Sequence, residues 1–251
     1  MTEERISSRK NPLLLQVKKL LSSKKEREAA GLFVSDGTKL LEEAVKYDKG
    51  LHTVILSEGV QAQVPDHVRL VRVPEDVMAS ISPMESPQGA LFLCRLPEQK
   101  PFEAKRGMLI LDGIQDPGNV GTILRTADAL EVPVVLLEGC ADPYSHKVVR
   151  SSMGAVFRTP VVRSTWEEVR KACKEAGIPV AVTALSDRAK DIRDVQNFAG
   201  MAVVIGSEGR GVRREILDAA DQEVIIPMNP RCESLNAAVA ATIVMWELKT
   251  R

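Results

Sequence analysis

From Met108 onward the sequence alternates continuous apolar runs with helical stretches. MLILD is followed by a helical stretch to Leu130, then VPVVLL, a helical stretch near Tyr144 to Ser152, TPVVR, the helical WEEVRKACKEA, and the runs IPVAVTA, MAVVIG and EVIIP. The runs do not alternate apolar with polar residues, so a strand made from one of them needs cover on both faces. That pattern predicts a mostly parallel sheet with helices on both sides. The last stretch, from Leu235 to about Leu248, is apolar nearly all round, which predicts a helix buried in the core or in a subunit interface.

The first hundred residues have a different rhythm. Asn11-Pro12 reads as a helix cap with proline at the first helical position. Leu14, Val17, Leu20 and Leu21 then repeat at helical spacing, and Leu40, Leu41, Ala44 and Val45 mark a second helix. HTVILS, RLVRV and GALFLCRL read as strands, giving a small α/β unit. The polar stretch Pro97 to Gly107, PEQKPFEAKRG, carries two prolines and marks a boundary. The expected organisation is therefore a first domain over 1–98, a linker over 99–107 and a second domain over 108–251.

With 34 basic and 34 acidic side chains the net charge is zero, so no global field attracts nucleic acid. The basic excess is local and N-terminal, with Arg9, Lys10, Lys18 and Lys19 on or beside the first helix. Cys94, Cys140, Cys173 and Cys232 form no C-x-x-C pair and do not cluster with His52, His67 or His146, so there is no metal-ligand pattern. Scattered thiols and a charged N-terminus without an apolar signal core point to the cytoplasm. The longest apolar run, Ala237 to Trp246, is too short to span a bilayer.

Ligands of an open parallel sheet bind at the carboxyl ends of its strands, and three such ends have unusual composition. In the first, Asp116-Pro117-Gly118-Asn119 opens a helix whose apolar stripe is Val120, Ile123, Leu124, Ala127 and Leu130. At 100° per residue Arg125 points almost opposite that stripe. Taken alone, Asn119 is a cap and Arg125 a solvated arginine. The turn matches neither the dinucleotide nor the triphosphate glycine fingerprint. The second end is VVIGSEGRGV, where Gly206, Gly209 and Gly211 flank Glu208 just after an apolar run. Those glycines permit close backbone approach and positive φ, and alone they make a tight strand-to-helix turn. The third is IIPMNPRCESLNAAVA, in which Ser234 and Asn236 alone would read as capping residues.

Taken together, the three resemble the signature motifs of the SpoU/TrmH-type RNA 2′-O-ribose methyltransferases of the SPOUT superfamily. The matching residues are Asn119 with Arg125 six positions later, the GSEGRG loop, and IPM followed by SLN and a small-residue helix. SSMGA at 151–155 also fits, and RISSRKNP, GLFVSDGTKLLEEAV and SPQGALFL resemble the RNA-binding domain of one branch, so the resemblance covers nearly the whole chain.

The resemblance implies an α/β methyltransferase domain with a deep trefoil knot, preceded by a ribosomal-protein-like RNA-binding domain. It implies S-adenosylmethionine as methyl donor, its adenine end held by backbone groups of Gly206, Ile226 and Leu235. It implies that Asn119, Arg125, Glu208, Ser234 and Asn236 surround the reacting methyl and ribose, and that the active unit is a homodimer. Arg125 would orient the hydroxyl and stabilise its developing charge, since a guanidinium does not release its own proton. The implied substrate is ribosomal RNA, contacted in part by Arg9, Lys10, Lys18 and Lys19. The alternatives are transfer RNA, or RNA binding without turnover on the same fold. One departure stands out: where the family commonly has a glycine-containing linker, this chain has Asn229-Pro230-Arg231-Cys232-Glu233, and Pro230 removes backbone freedom and a donor.

Overall fold

A computed structural model describes residues 3–47, 50–99 and 101–250. In chain order the elements are β1 (Glu4–Arg5), α1 (Pro12–Ser22), α2 (Lys24–Ala30), β2 (Leu32–Asp36), α3 (Thr38–Tyr47), β3 (Leu51–Ser57), β4 (Arg69–Val73), α4 (Glu75–Ile81) and β5 (Ala90–Arg95). Then follow β6 (Met108–Asp112), α5 (Pro117–Leu130), β7 (Val134–Leu136), α6 (His146–Ser151), α7 (Ala155–Arg158), β8 (Val162–Arg163) and α8 (Trp166–Glu175). The chain continues through β9 (Val180–Thr183), β10 (Lys190–Asp191), β11 (Ala202–Gly206), α9 (Arg214–Ala219), β12 (Gln222–Ile225) and α10 (Ala237–Thr250). It divides into two compact units, Met1–Glu98 with Asp142–Pro160, and Gln99–Ala141 with Val161–Arg251.

The first unit is built on a five-stranded mixed sheet in the order β1-β4-β3-β5-β2. Its α1 starts as expected: the Asn11 side chain accepts from the Leu13 N–H, and Pro12 takes the first helical position. Leu14, Val17 and Leu20 turn inward with Val34, Ile55 and Val71. The opposite face of the sheet buries Phe33, Leu41, Val54 and Phe92 together with Tyr144, Val149 and Phe157. The last three come from Asp142–Pro160, a segment the sequence reading gave to the second domain. It belongs to the first unit because it completes that core and because Arg27 binds it. Arg27 is only 5% exposed, donates to Asp142 from Nε (2.9 Å) and Nη2 (2.7 Å), and from Nη1 to the Leu20 carbonyl. So one of the N-terminal cations is spent on structure. The strand β2, not anticipated from the sequence, is buried at every position because α1 and α6 both pack against it.

The second unit is a seven-stranded sheet in the order β10-β12-β9-β11-β6-β7-β8. Every pairing in it is parallel, as the continuous apolar runs predict. Gly206 lies in register with Asp112, so the ends of β11 and β6 stand side by side, and the loops that follow them share one edge of the sheet. The α10 helix packs on α5, β6 and β11. It is not buried all round. Ala237, Ala241, Val244, Met245 and Leu248 face inward, while Val239 and Trp246 are 49% and 56% exposed. Among the described residues no helix is long and apolar enough to cross a membrane.

Candidate active site

The two central strands, β6 and β11, deliver the first two loops of the site, and β12 delivers the third. After β6 the chain turns through Gly113 (φ 66°) to Asp116, whose carboxylate accepts from the Asn119 N–H at 2.8 Å and caps α5. Asn119 is thus inside the first turn of the helix rather than its cap. Its side chain is free to reach across, and Asn119 Nδ2 donates to Glu208 Oε1 at 2.6 Å.

Glu208 lies in the loop after β11, and the backbone there is tightly wound. Gly211 N donates to the Ser207 carbonyl at 2.8 Å, with Gly211 at φ 65°. A Cβ on Gly206 would lie 2.1 Å from the Gly211 carbonyl carbon and 2.2 Å from the Val212 nitrogen. Glycine is therefore demanded at 206 by the loop's own backbone, whatever is bound beside it.

The loop is anchored by a residue the sequence reading missed. Asp112, 2% exposed at the end of β6, accepts from the Arg213 backbone N–H at 2.8 Å and from Arg213 Nε at 2.7 Å. Its register opposite Gly206 and its bonds to Arg213 hold both ends of the glycine loop. The only signal in the sequence was an acid closing an apolar strand. Removing both bonds with Asp112→Ala is expected to cost about 1–3 kcal/mol, at the lower end because the Arg213 side chain, 41% exposed, keeps access to water. Urea unfolding of the variant against wild type checks this.

The third loop closes the group. Asn236 caps α10, its Oδ1 accepting from Ala238 N (3.0 Å) and Val239 N (3.3 Å). Its Nδ2 donates to Asn119 Oδ1 at 2.9 Å and to Glu208 Oε1 at 3.1 Å. The Ala237 N–H also donates to Glu208 Oε1 at 3.0 Å. One carboxylate oxygen thus receives three donors, with the positive end of α10 beside it. Counting donors and acceptors, Asn236 is fully used within the protein. Asn119 keeps one amide hydrogen, Glu208 keeps Oε2, and the Ser234 hydroxyl has no partner among the described residues. These are the groups left for a ligand.

Glu208 and Ser234 border a cavity of about 600 Å³ whose wall also includes Gly206, Ile226 and Leu235, a volume ordinary for a small-molecule site; Asn119 stands behind Glu208, outside that wall. Ile205 and Val224 add apolar surface. Glu223 accepts from Ser186 and Arg188 and ties the segment after β9 to the rim. Pro230 does not disturb this wall. It occupies the second position of a turn in which Cys232 N donates to the Asn229 carbonyl at 2.8 Å and Arg231 N to Asn229 Oδ1 at 3.0 Å. Proline is favoured there and its missing N–H is not needed.

Arg125 is not among the assembled residues. It is exposed on α5, six residues beyond Asn119 and so about 9 Å further along the helix axis. It lines a separate shallow hollow with Thr122, Thr126 and Ala129 of α5 and Thr242 and Trp246 of α10. It makes no hydrogen bond or ion pair with the described residues.

Two family models match the chain: the SpoU rRNA Methylase family over residues 107–246 and the MRM3-like substrate binding domain over residues 6–91. The chain is 33% identical over 249 residues to the 23S rRNA (guanosine(2553)-2′-O)-methyltransferase RlmP of Bacillus subtilis, covering 98% of this chain and 99% of that protein. Its fold matches the crystal structure of an AdoMet-bound rRNA methyltransferase from Sinorhizobium meliloti at a TM-score of 0.86 and 27% identity, over 98% of this chain and 97% of that one. The SpoU methyltransferase AviRb from Streptomyces viridochromogenes, in complex with AdoMet, matches at a TM-score of 0.79 and 26% identity, over 95% and 97%.

Proposed function

The chain belongs to the SpoU rRNA methylase family, and from that premise we propose how its residues transfer a methyl group from S-adenosylmethionine to a ribose 2′-hydroxyl of ribosomal RNA. The observation that carries the reading is the interlocked Asn119–Glu208–Asn236 group at the edge of a cavity walled by Gly206, Ile226 and Leu235.

S-adenosylmethionine supplies an electrophilic methyl. The protein holds it through backbone groups of Gly206, Ile226 and Leu235, in a pocket apolar enough for adenine and polar at the end where Glu208 and Ser234 stand. Glu208 serves as the hub: three donors hold its Oε1, and its Oε2 is left for the ligand. It fixes Asn119, whose remaining amide hydrogen and the Ser234 hydroxyl orient the ribose for in-line attack. Arg125 supplies positive charge where the alkoxide develops; the hydroxyl proton passes to the substrate phosphate or solvent, and S-adenosylhomocysteine leaves.

Arg125 reaches a site only across a dimer. Val239 and Trp246 of α10 and the neighbouring face of α5 leave an apolar surface uncovered around it. Two copies packed by a two-fold axis on that face would bring the arginine of one protomer to the reacting group of the other. The variant Trp246→Glu is expected to be monomeric, and light scattering after gel filtration measures it. The deep trefoil knot belongs to the same proposal and spans the segment from β11 to α10.

We assign RNA capture to residues 1–98, with Asp142–Pro160 completing that unit, and methyl transfer to 108–251. Of the cations expected to track phosphate, Lys10, Lys18 and Lys19 are exposed, while Arg9 pairs with Asp76 at 2.6 Å and exchanges that partner for phosphate on binding. The work of such an enzyme lies in the cytoplasm. Labelled methyl transfer to unmodified ribosomal RNA, with unmodified transfer RNA in a parallel reaction, tests the substrate class. Label in ribosomal RNA supports the assignment, and label confined to transfer RNA overturns it.

A further inference from the structure

The three glycines at the end of β11 and in the loop after it have three different explanations. Gly206 is forced by the backbone of Gly211 and Val212 against it. Gly211 is forced by its φ of 65°. Gly209 has neither reason: its φ is not in the left-handed region, and a Cβ built on it meets nothing within 4 Å. Nothing inside the chain asks for glycine there. A residue bare of side chain at an exposed loop tip permits close approach from outside.

The neighbouring arginine shows the same asymmetry. Three arginines follow Glu208 in quick succession. Arg213 is held by Asp112 and by Glu215 at 2.9 Å, and Arg214 by Asp218 at 2.9 Å. Arg210 is exposed and has no partner among the described residues. It lines the same cavity as Glu208 and Ser234, unlike Arg125. Glu208, the nearest acid in sequence, is engaged elsewhere by Asn119, Asn236 and Ala237 N.

We propose that Gly209 and Arg210 form a docking strip for the RNA sugar-phosphate backbone next to the reacting ribose. The guanidinium of Arg210 binds a flanking phosphate in the same protomer that supplies Glu208, and the missing side chain at Gly209 lets the strand lie against the loop. This deepens the methyltransferase reading and rests on it. A guanidinium suits the role because it pairs two N–H groups with two phosphate oxygens. The contact positions the strand without reading sequence.

The test compares wild type with Arg210→Gln, Arg210→Lys and Gly209→Val, using unmodified large-subunit ribosomal RNA made by transcription. Filter binding over a range of salt, steady-state methyl transfer and calorimetry with S-adenosylmethionine are the three readouts. Arg210→Gln is expected to raise KM for RNA about tenfold, the effect of losing one charge-assisted contact, and Gly209→Val to raise it by blocking the close approach of the strand, both with affinity for S-adenosylmethionine unchanged. The salt slope of RNA binding is expected to fall by about 0.7–0.9 in Arg210→Gln and to be kept in Arg210→Lys. Gly209→Val should unfold at the wild-type temperature.

Wild-type RNA affinity and salt slope in Arg210→Gln would overturn the strip. So would weakened S-adenosylmethionine binding with RNA affinity intact, which would assign Arg210 to the carboxylate of that molecule. Filter binding needs no turnover, so the two readings fail separately. A wild-type chain that binds RNA with an Arg210-dependent slope but transfers no methyl supports the strip and overturns the enzyme. Active wild type with unaltered variants does the reverse.

Discussion

Arg125→Ala is expected to lower methyl transfer about 10²–10³-fold, the loss typical of removing one preorganised charge-stabilising donor, with S-adenosylmethionine affinity unchanged. The second half of that expectation follows from geometry, since Arg125 lines a different hollow from the cavity of Gly206, Ile226 and Leu235. Arg125→Lys should not restore the rate, because an ammonium cannot reproduce the planar fork. The proposed dimer gives a sharper test. Glu208→Ala is expected to be inactive for a local reason, the loss of the group that fixes Asn119 and Asn236. Unfolding and refolding an equal mixture of Glu208→Ala and Arg125→Ala chains should restore about a quarter of wild-type activity. About half the dimers are then mixed, and each mixed two-fold dimer has one intact site when the arginine acts across the interface. An arginine acting within its own protomer leaves every site defective and restores nothing.

Gly206→Ala is expected to abolish measurable S-adenosylmethionine binding and to destabilise the protein by about 1–3 kcal/mol, the usual cost of overpacking. The new methyl would stand 2.1 Å from one backbone atom and 2.2 Å from two others. Backbone cannot swing aside as a flexible side chain can, so the loop from Ser207 to Val212 must move outward. That motion breaks the Gly211-to-Ser207 hydrogen bond and carries Glu208 away from Asn119. Calorimetry and thermal unfolding read the two effects separately. Gly209→Ala, three residues on, should leave both unchanged, because its Cβ meets nothing within 4 Å.

What the sequence disclosed and what it hid follow physical lines. The strands of the second unit were legible because burial on both faces leaves an unbroken apolar run, and Ala202–Gly206 and Met108–Asp112 fall where such runs are. The caps at Asn11 and the outward direction of Arg125 were legible because helical periodicity is local. Asp112 was not, because its partner Arg213 is 101 residues away and strand register cannot be read from composition. The ion pair of Arg27 was hidden for the same reason, its partner Asp142 lying 115 residues on. The all-apolar α10 pattern cannot distinguish a helix buried in its own fold from one with a face left for a second copy. The left-handed backbone at Met153 (φ 49°), within SSMGA, carried no sequence signal, and nothing in the structure explains it.

The central claim is that the Asn119–Glu208–Asn236 group directs a methyl to a ribose oxygen. The most direct test is to digest ribosomal RNA, labelled by wild type from methyl-labelled S-adenosylmethionine, to nucleosides and identify the labelled product by mass spectrometry. Asn119→Ala runs in parallel. A single 2′-O-methylnucleoside is expected, with the adjacent phosphodiester resistant to alkali and the signal lost in the variant. Label on a base, or a 2′-O-methyl product undiminished in Asn119→Ala, would contradict it.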